Sequence, residues 1–159
     1  MLHDNSVTDT GVEDLCMALR WHPSIHTLWL GANLVSDTGA VHCATLCRRN
    51  PNLSDLNLAN KWPRRTWSEL EQSAHPRITL SGAIALAEQL AACCGLTALN
   101  LSEQRVSDKG AAALFKVNHD LYSIVSCTLV NTLDLEIKVF FLLDWPGRAS
   151  CCRCGLEMD

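Results

Sequence analysis

The sequence lacks most of what would mark a catalyst, a membrane protein or a nucleic-acid binder. No Gly-rich phosphate loop with a lysine, no G-x-S-x-G and no H-E-x-x-H occurs along its 159 residues. No run approaches the roughly 18 apolar residues of a membrane span. The strongest candidate, Val139 to Leu143, is five residues long and is flanked by Lys138 and Asp144. The opening MLHDNSVTD is polar and acidic where a signal peptide needs an apolar core. A net basic charge is also missing: the net charge is −4 and the pI about 5.8, which argues against phosphate recognition. Aromatic residues make up 6% of the chain, but hydrophobic residues make up 48%, enough for a core. The reading is a soluble, cytoplasmic chain without a cofactor.

What is present is periodicity. The stretch from Ile25 to Ala40, IHTLWLGANLVSDTGA, is apolar at Ile25, Leu28 and Leu30, followed by Asn33, Val35, Asp37 and Gly39. Leu28 and Leu30 share one face of a short strand, because strand side chains alternate with period two. Asn33 stands where the chain must turn away, and Asp37 stands just before a helix-like run. The skeleton recurs at a spacing of 28 residues: Asn5, Val7, Asp9 and Gly11 precede it, and Leu53, Leu56 and Leu58 follow. It returns at Leu96, Leu99, Leu101, Val106, Asp108 and Gly110 after an insert near 61–76 that carries Trp62, Arg64, Arg65 and Trp67. Periods of this length indicate stacked structural units.

Each unit predicts a strand and a helix. Strands are expected near 27–30, 56–58 and 99–101, with a further strand suggested by Ile124, Cys127 and Leu129. Helices are expected near 10–21, 38–49, 82–93 and 109–117, the first with Asp9 as its N-cap and His22-Pro23 as its stop. Gln104 replaces the turn asparagine and Asn60 stands one place early, so irregularity is expected there. About four and a half units fill residues 1–130. Residues 131–159 form a non-repeat tail, in which VFFLLDW is a candidate cap and SCCRCGLEMD a disordered end.

The pattern L-x-x-L-x-L-x-x-N-x-V-x-D-x-G-A resembles the leucine-rich repeat of the ribonuclease-inhibitor-like type, found also in NOD-like receptors and in the GTPase-activating protein for Ran. That resemblance implies an α/β solenoid in a horseshoe arc, with parallel strands on a concave face and helices on a convex one. It also implies a protein-binding role rather than an enzyme, read here as part of a longer protein.

The nine cysteines fit this scheme without metal or disulfide chemistry. Cys43 and Cys47 occupy positions that are leucine in other units, so they are expected to be buried small hydrophobes. His42-Cys43 suggests a nucleophile and base, but adjacent helical residues point about 100° apart. Cys151, Cys152 and Cys154 lack a fourth ligand for zinc.

The expected function is a non-catalytic protein–protein interaction module. Its partner-binding residues are Trp29, Asp55, Asn57, Asn100 and Glu103, side chains that lie on or beside the outward rows of neighbouring strands. Tryptophan is enriched among binding hot spots, and Asp55 and Glu103 favour a basic partner surface. Trp62, Arg64, Arg65 and Trp67 form a second candidate surface. The alternatives are an accessory regulator of a small GTPase, of GTPase-activating type, or a truncated product without independent function.

Overall fold

The structure, a computed structural model, describes residues 1–60, 76–93, 95–121, 126–130 and 136–140. The order of elements is α1 (Asp9–Leu19), β1 (Thr27–Trp29), α2 (Asp37–Arg49), β2 (Asp55–Asn57), α3 (Leu80–Leu90), β3 (Ala98–Asn100), α4 (Ser107–Leu121), β4 (Ser126–Val130) and β5 (Glu136–Phe140).

β1, β2 and β3 form one parallel sheet in sequence order. Thr27, Asp55 and Ala98 are partners in register, as are Leu28, Leu56 and Leu99, and then Trp29, Asn57 and Asn100. The reason lies in the leucines. Leu28, Leu56 and Leu99 are buried, as are Leu30, Leu58 and Leu101 and the preceding Leu53 and Leu96. A slip of one residue would turn every one of them to the opposite face. The helices α1 to α4 lie side by side and supply much of the rest of the core, including Val12, Ala40, Ala44, Leu46, Ala83, Leu86, Leu90 and Leu114. Leu15 and Leu19 pack against it while partly exposed.

Three features depart from the expected architecture. The leucine-rich-repeat solenoid in a horseshoe arc is not formed: the described residues give four helices and a small three-stranded parallel sheet that is not curled. An arc is the sum of small rotations from unit to unit, and three strands of three residues each accumulate too little of it. Among the described residues there is accordingly a strand side and a helix side, and no concave or convex face. The further strand suggested near Ile124 to Leu129 does exist as β4, but it pairs antiparallel with β5 in a separate two-stranded sheet. The third departure is at α1, whose cap is Thr8, without a side-chain hydrogen bond, and not Asp9.

Asp9 acts on the next helix instead. Its carboxylate accepts from Ser36 N–H at 2.8 Å and Gly39 N–H at 3.1 Å, and from the Ser36 hydroxyl. Asp37 repeats this one unit on, accepting from Thr79 N–H at 2.6 Å and Thr79 Oγ1 at 2.7 Å. A carboxylate at a helix start meets unpaired N–H groups and the positive end of the helix dipole. This also explains two glycines. A Cβ on Gly39 would overlap the Asp9 carboxylate, and one on Gly82 would overlap that of Asp37.

Buried amides hold the turns. Asn33 accepts at Oδ1 from Asn5 N–H and Val7 N–H, both at 3.0 Å, and donates from Nδ2 to Leu2 O at 2.7 Å and Leu30 O at 2.8 Å. Gln104 performs the same task where irregularity was expected. Its Oε1 accepts from Ile78 N–H at 2.8 Å, and its Nε2 donates to Leu58 O at 2.6 Å. Asn50 ties the other end of the helices, donating to Leu19 O and His22 O at 3.0 Å each.

Candidate functional site

The strand side of the sheet is the one surface to which all three strands contribute outward side chains. Alternation buries Leu28, Leu56 and Leu99 and leaves the flanking residues of each strand turned away from the core. These are Thr27 and Trp29, Asp55 and Asn57, and Ala98 and Asn100. Except for the exposed Thr27, all are half-buried.

Trp29 is held on both sides. Its indole Nε1–H donates to Asp55 Oδ2 at 3.1 Å, and its ring meets His3 at right angles with centroids 5.6 Å apart. His3 approaches over Gly31, where a Cβ would come within 3.0 Å of the imidazole. Trp29 and Asp55 are therefore fixed by each other, on neighbouring strands, before any partner arrives. Asn57 and Asn100 are fixed by their own turns. Asn57 Oδ1 accepts from Ala59 N–H at 3.0 Å, and Asn100 Oδ1 accepts from Ser102 N–H at 3.0 Å and the Ser102 hydroxyl at 2.6 Å.

Glu103 stands apart from this group. It sits in the left-handed region at φ 59, in the turn after β3, and its carbonyl accepts from Arg77 Nη1. Burial lowers the Arg77 pKa first, with repulsion from Arg105 adding to the effect and Glu103 opposing it. Among the described residues the β3 end of the face thus carries two arginines beside its acid, while Asp55 pairs with Trp29. Sequence reasoning missed Arg77, whose neighbourhood with Glu103 depends on the chain's return after the insert. Four of the five expected residues are brought together, with Glu103 at the margin. Trp62, Arg64, Arg65 and Trp67 lie outside the described residues, as do the thiols of Cys151, Cys152 and Cys154.

The helix side carries a different chemistry. Cys16, Cys43, Cys47 and Cys93 are free and buried. The Cys43 pKa is raised by its hydrogen bond to Cys16 and by burial, and that of Cys47 by burial above all. Both thiols stay protonated, unlike a nucleophile. His42 faces Glu13 across the helix surface at 3.9 Å. Among the described residues no group of three His, Cys, Asp or Glu side chains is placed to hold a metal ion, and no helix is long and apolar enough to cross a membrane.

No family model and no curated protein matches the chain. Among solved structures it is similar to one described as "Leiomodin-1 Actin-Binding Site 2 (ABS2)", with a TM-score of 0.67 and 17% sequence identity over 83% of this chain and 69% of that one. At that identity the likeness speaks for the fold alone. No family model or curated protein supports grouping the chain with leucine-rich-repeat proteins or NOD-like receptors, and the solenoid that the resemblance implied is not seen among the described residues.

Proposed function

We propose that the chain is a non-catalytic, cytoplasmic interaction module that binds a protein partner on its strand face, with Trp29 as the anchor. The observation that carries this reading is the Trp29–Asp55 pair: a half-buried tryptophan locked to a carboxylate on the adjacent strand. A side chain already held in one orientation loses little freedom on binding, and a partly desolvated aromatic beside a polar group is typical of binding hot spots. Asp55 favours a partner with a basic surface, and association weakens as salt rises. The name of the similar structure describes it as an actin-binding site. That is consistent with a binding role for a chain of this fold, without indicating the same partner.

The test is affinity capture of partners from cell extract with wild type, Trp29→Ala and Asp55→Asn, alongside thermal melts of all three. Trp29→Ala is expected to lose recovery by an amount equivalent to about 2 kcal/mol or more while keeping a cooperative melt. Undiminished recovery with an intact fold would dismiss the strand face as the site. Loss of the cooperative melt would assign Trp29 a structural role.

A further inference from the structure

Across the three strands, Trp29, Asn57 and Asn100 form one register row. The two asparagines on it are fixed the same way round. Each side-chain oxygen receives a backbone N–H, from Ala59 and from Ser102. A backbone N–H can only donate, so the inward atom of each amide must be the oxygen and the outward atom the nitrogen. Neither Nδ2 group has a protein partner among the described residues. The row therefore presents two oriented pairs of N–H donors, one strand spacing or about 4.8 Å apart. At the β1 end of the row is the indole of Trp29, and beside it, in the preceding register row on β2, is the second oxygen of Asp55, whose first oxygen is taken by Trp29.

From this arrangement we propose that the strand face takes an extended peptide segment laid across the strands. The Nδ2 groups of Asn57 and Asn100 donate to its backbone carbonyls, and Trp29 with Asp55 receives a lysine or arginine side chain. Outward donors call for acceptors. Neutral carbonyls suit them better than carboxylates, because Asp55 lies two residues before Asn57 on the same strand and repels an anion. The Trp29–Asp55 corner calls for a cation, which an indole ring and a carboxylate oxygen without a partner among the described residues both attract. An extended segment supplies both at once, since it exposes its carbonyls and carries its side chains on alternate sides. The proposal rests on the reading that this face binds protein, and it adds the conformation and chemistry of what binds.

The experiment measures fluorescence anisotropy with labelled eight-residue peptides whose central residue is lysine and whose other positions vary among Gly, Ala, Ser and Val. A matched pool carries glutamate at the centre. The variants are Asn57→Asp and Asn100→Asp, with Asn57→Ser as a second choice should the first not fold. An aspartate at 57 or 100 still accepts the inward N–H but turns an oxygen outward in place of the donors. The lysine pool is expected to bind and the glutamate pool not. Each aspartate variant should weaken the lysine pool about tenfold, the loss of one good hydrogen bond, although it adds negative charge near a cationic ligand. Equal binding of both pools would overturn the cation site, and unchanged or tighter binding by the aspartate variants would overturn the carbonyl contacts. Should neither pool bind while Trp29-dependent capture of a cellular partner persists, the extended-peptide proposal fails and the binding module stands.

Discussion

Replacing Asn33 by alanine isolates the device that holds the first turn to the sheet. The side chain is 4% exposed and serves four backbone groups at 3.0 Å or less: Asn5 N–H, Val7 N–H, Leu2 O and Leu30 O. Leu30 O is buried, so losing its donor carries the full desolvation cost of about 1–3 kcal/mol. The other three lie at the edge of the sheet, where residues 2 and 5 are exposed and water can replace the amide. Taking the usual net value at its low end, about 0.5 kcal/mol each, the total for Asn33→Ala is about 3 kcal/mol. Urea unfolding monitored by tryptophan fluorescence reads this as a lower midpoint with an unchanged slope. Asn33→Asp separates the two halves of the role. It keeps the acceptor for Asn5 and Val7 but turns an oxygen toward the Leu2 and Leu30 carbonyls, so at neutral pH it should destabilise at least as much as alanine. A loss below about 1 kcal/mol for both variants would refute the assignment.

Two further perturbations follow from the helix side. Cys43 and Cys47 should resist thiol reagents until the protein unfolds. Because their folded pKa values are raised, the unfolded chain releases its protons first, above about pH 8.5. Stability is then lost as pH rises through that point, by up to about 1.4 kcal/mol per pH unit for Cys47, whereas Cys16, whose pKa is lowered by its hydrogen bond with Cys43, opposes the Cys43 contribution; a loss between pH 8 and 10 that Cys47→Ala leaves unchanged would contradict the burial of Cys47. Asp37→Ala and Gly82→Ala should each destabilise, the first by removing the acceptor for Thr79 and the second by overlap with the carboxylate. Chemical denaturation of the double variant should show a smaller loss than the sum by about 1 kcal/mol or more, whereas additivity within about 0.5 kcal/mol would mean that Asp37 and Gly82 do not meet.

The strands and core were legible because burial imposes a simple rule. Leu28, Leu56 and Leu99 are spaced so that their strands align, and the register follows from them. Cys43 and Cys47 were identifiable as buried from the same ruler. Asp9 was misassigned because its local context is that of an N-cap, while its actual partner, the start of α2, lies 27 to 30 residues on. Gln104 was read as a break because a longer amide differs from asparagine in type. Its extra methylene, however, lets it reach Ile78 and Leu58 across the sheet. The arc failed for a reason no single unit contains: curvature is a sum over many, and the sheet has three strands. At the candidate site, spacing located Trp29, Asp55, Asn57 and Asn100 on one face. The Trp29–Asp55 hydrogen bond and the inward turn of both amide oxygens depend on rotamers, which spacing does not encode.

The claim that the strand face is where a partner binds is tested most directly by site-specific photo-crosslinking. A photoreactive residue replaces Thr27, exposed on β1, or Met17, exposed on α1 on the helix side. Both variants are irradiated with the same captured partner. The account requires a covalent adduct through position 27, reduced by Trp29→Ala, and none through position 17. An adduct through position 17 with none through position 27 would place the partner on the helices and contradict it.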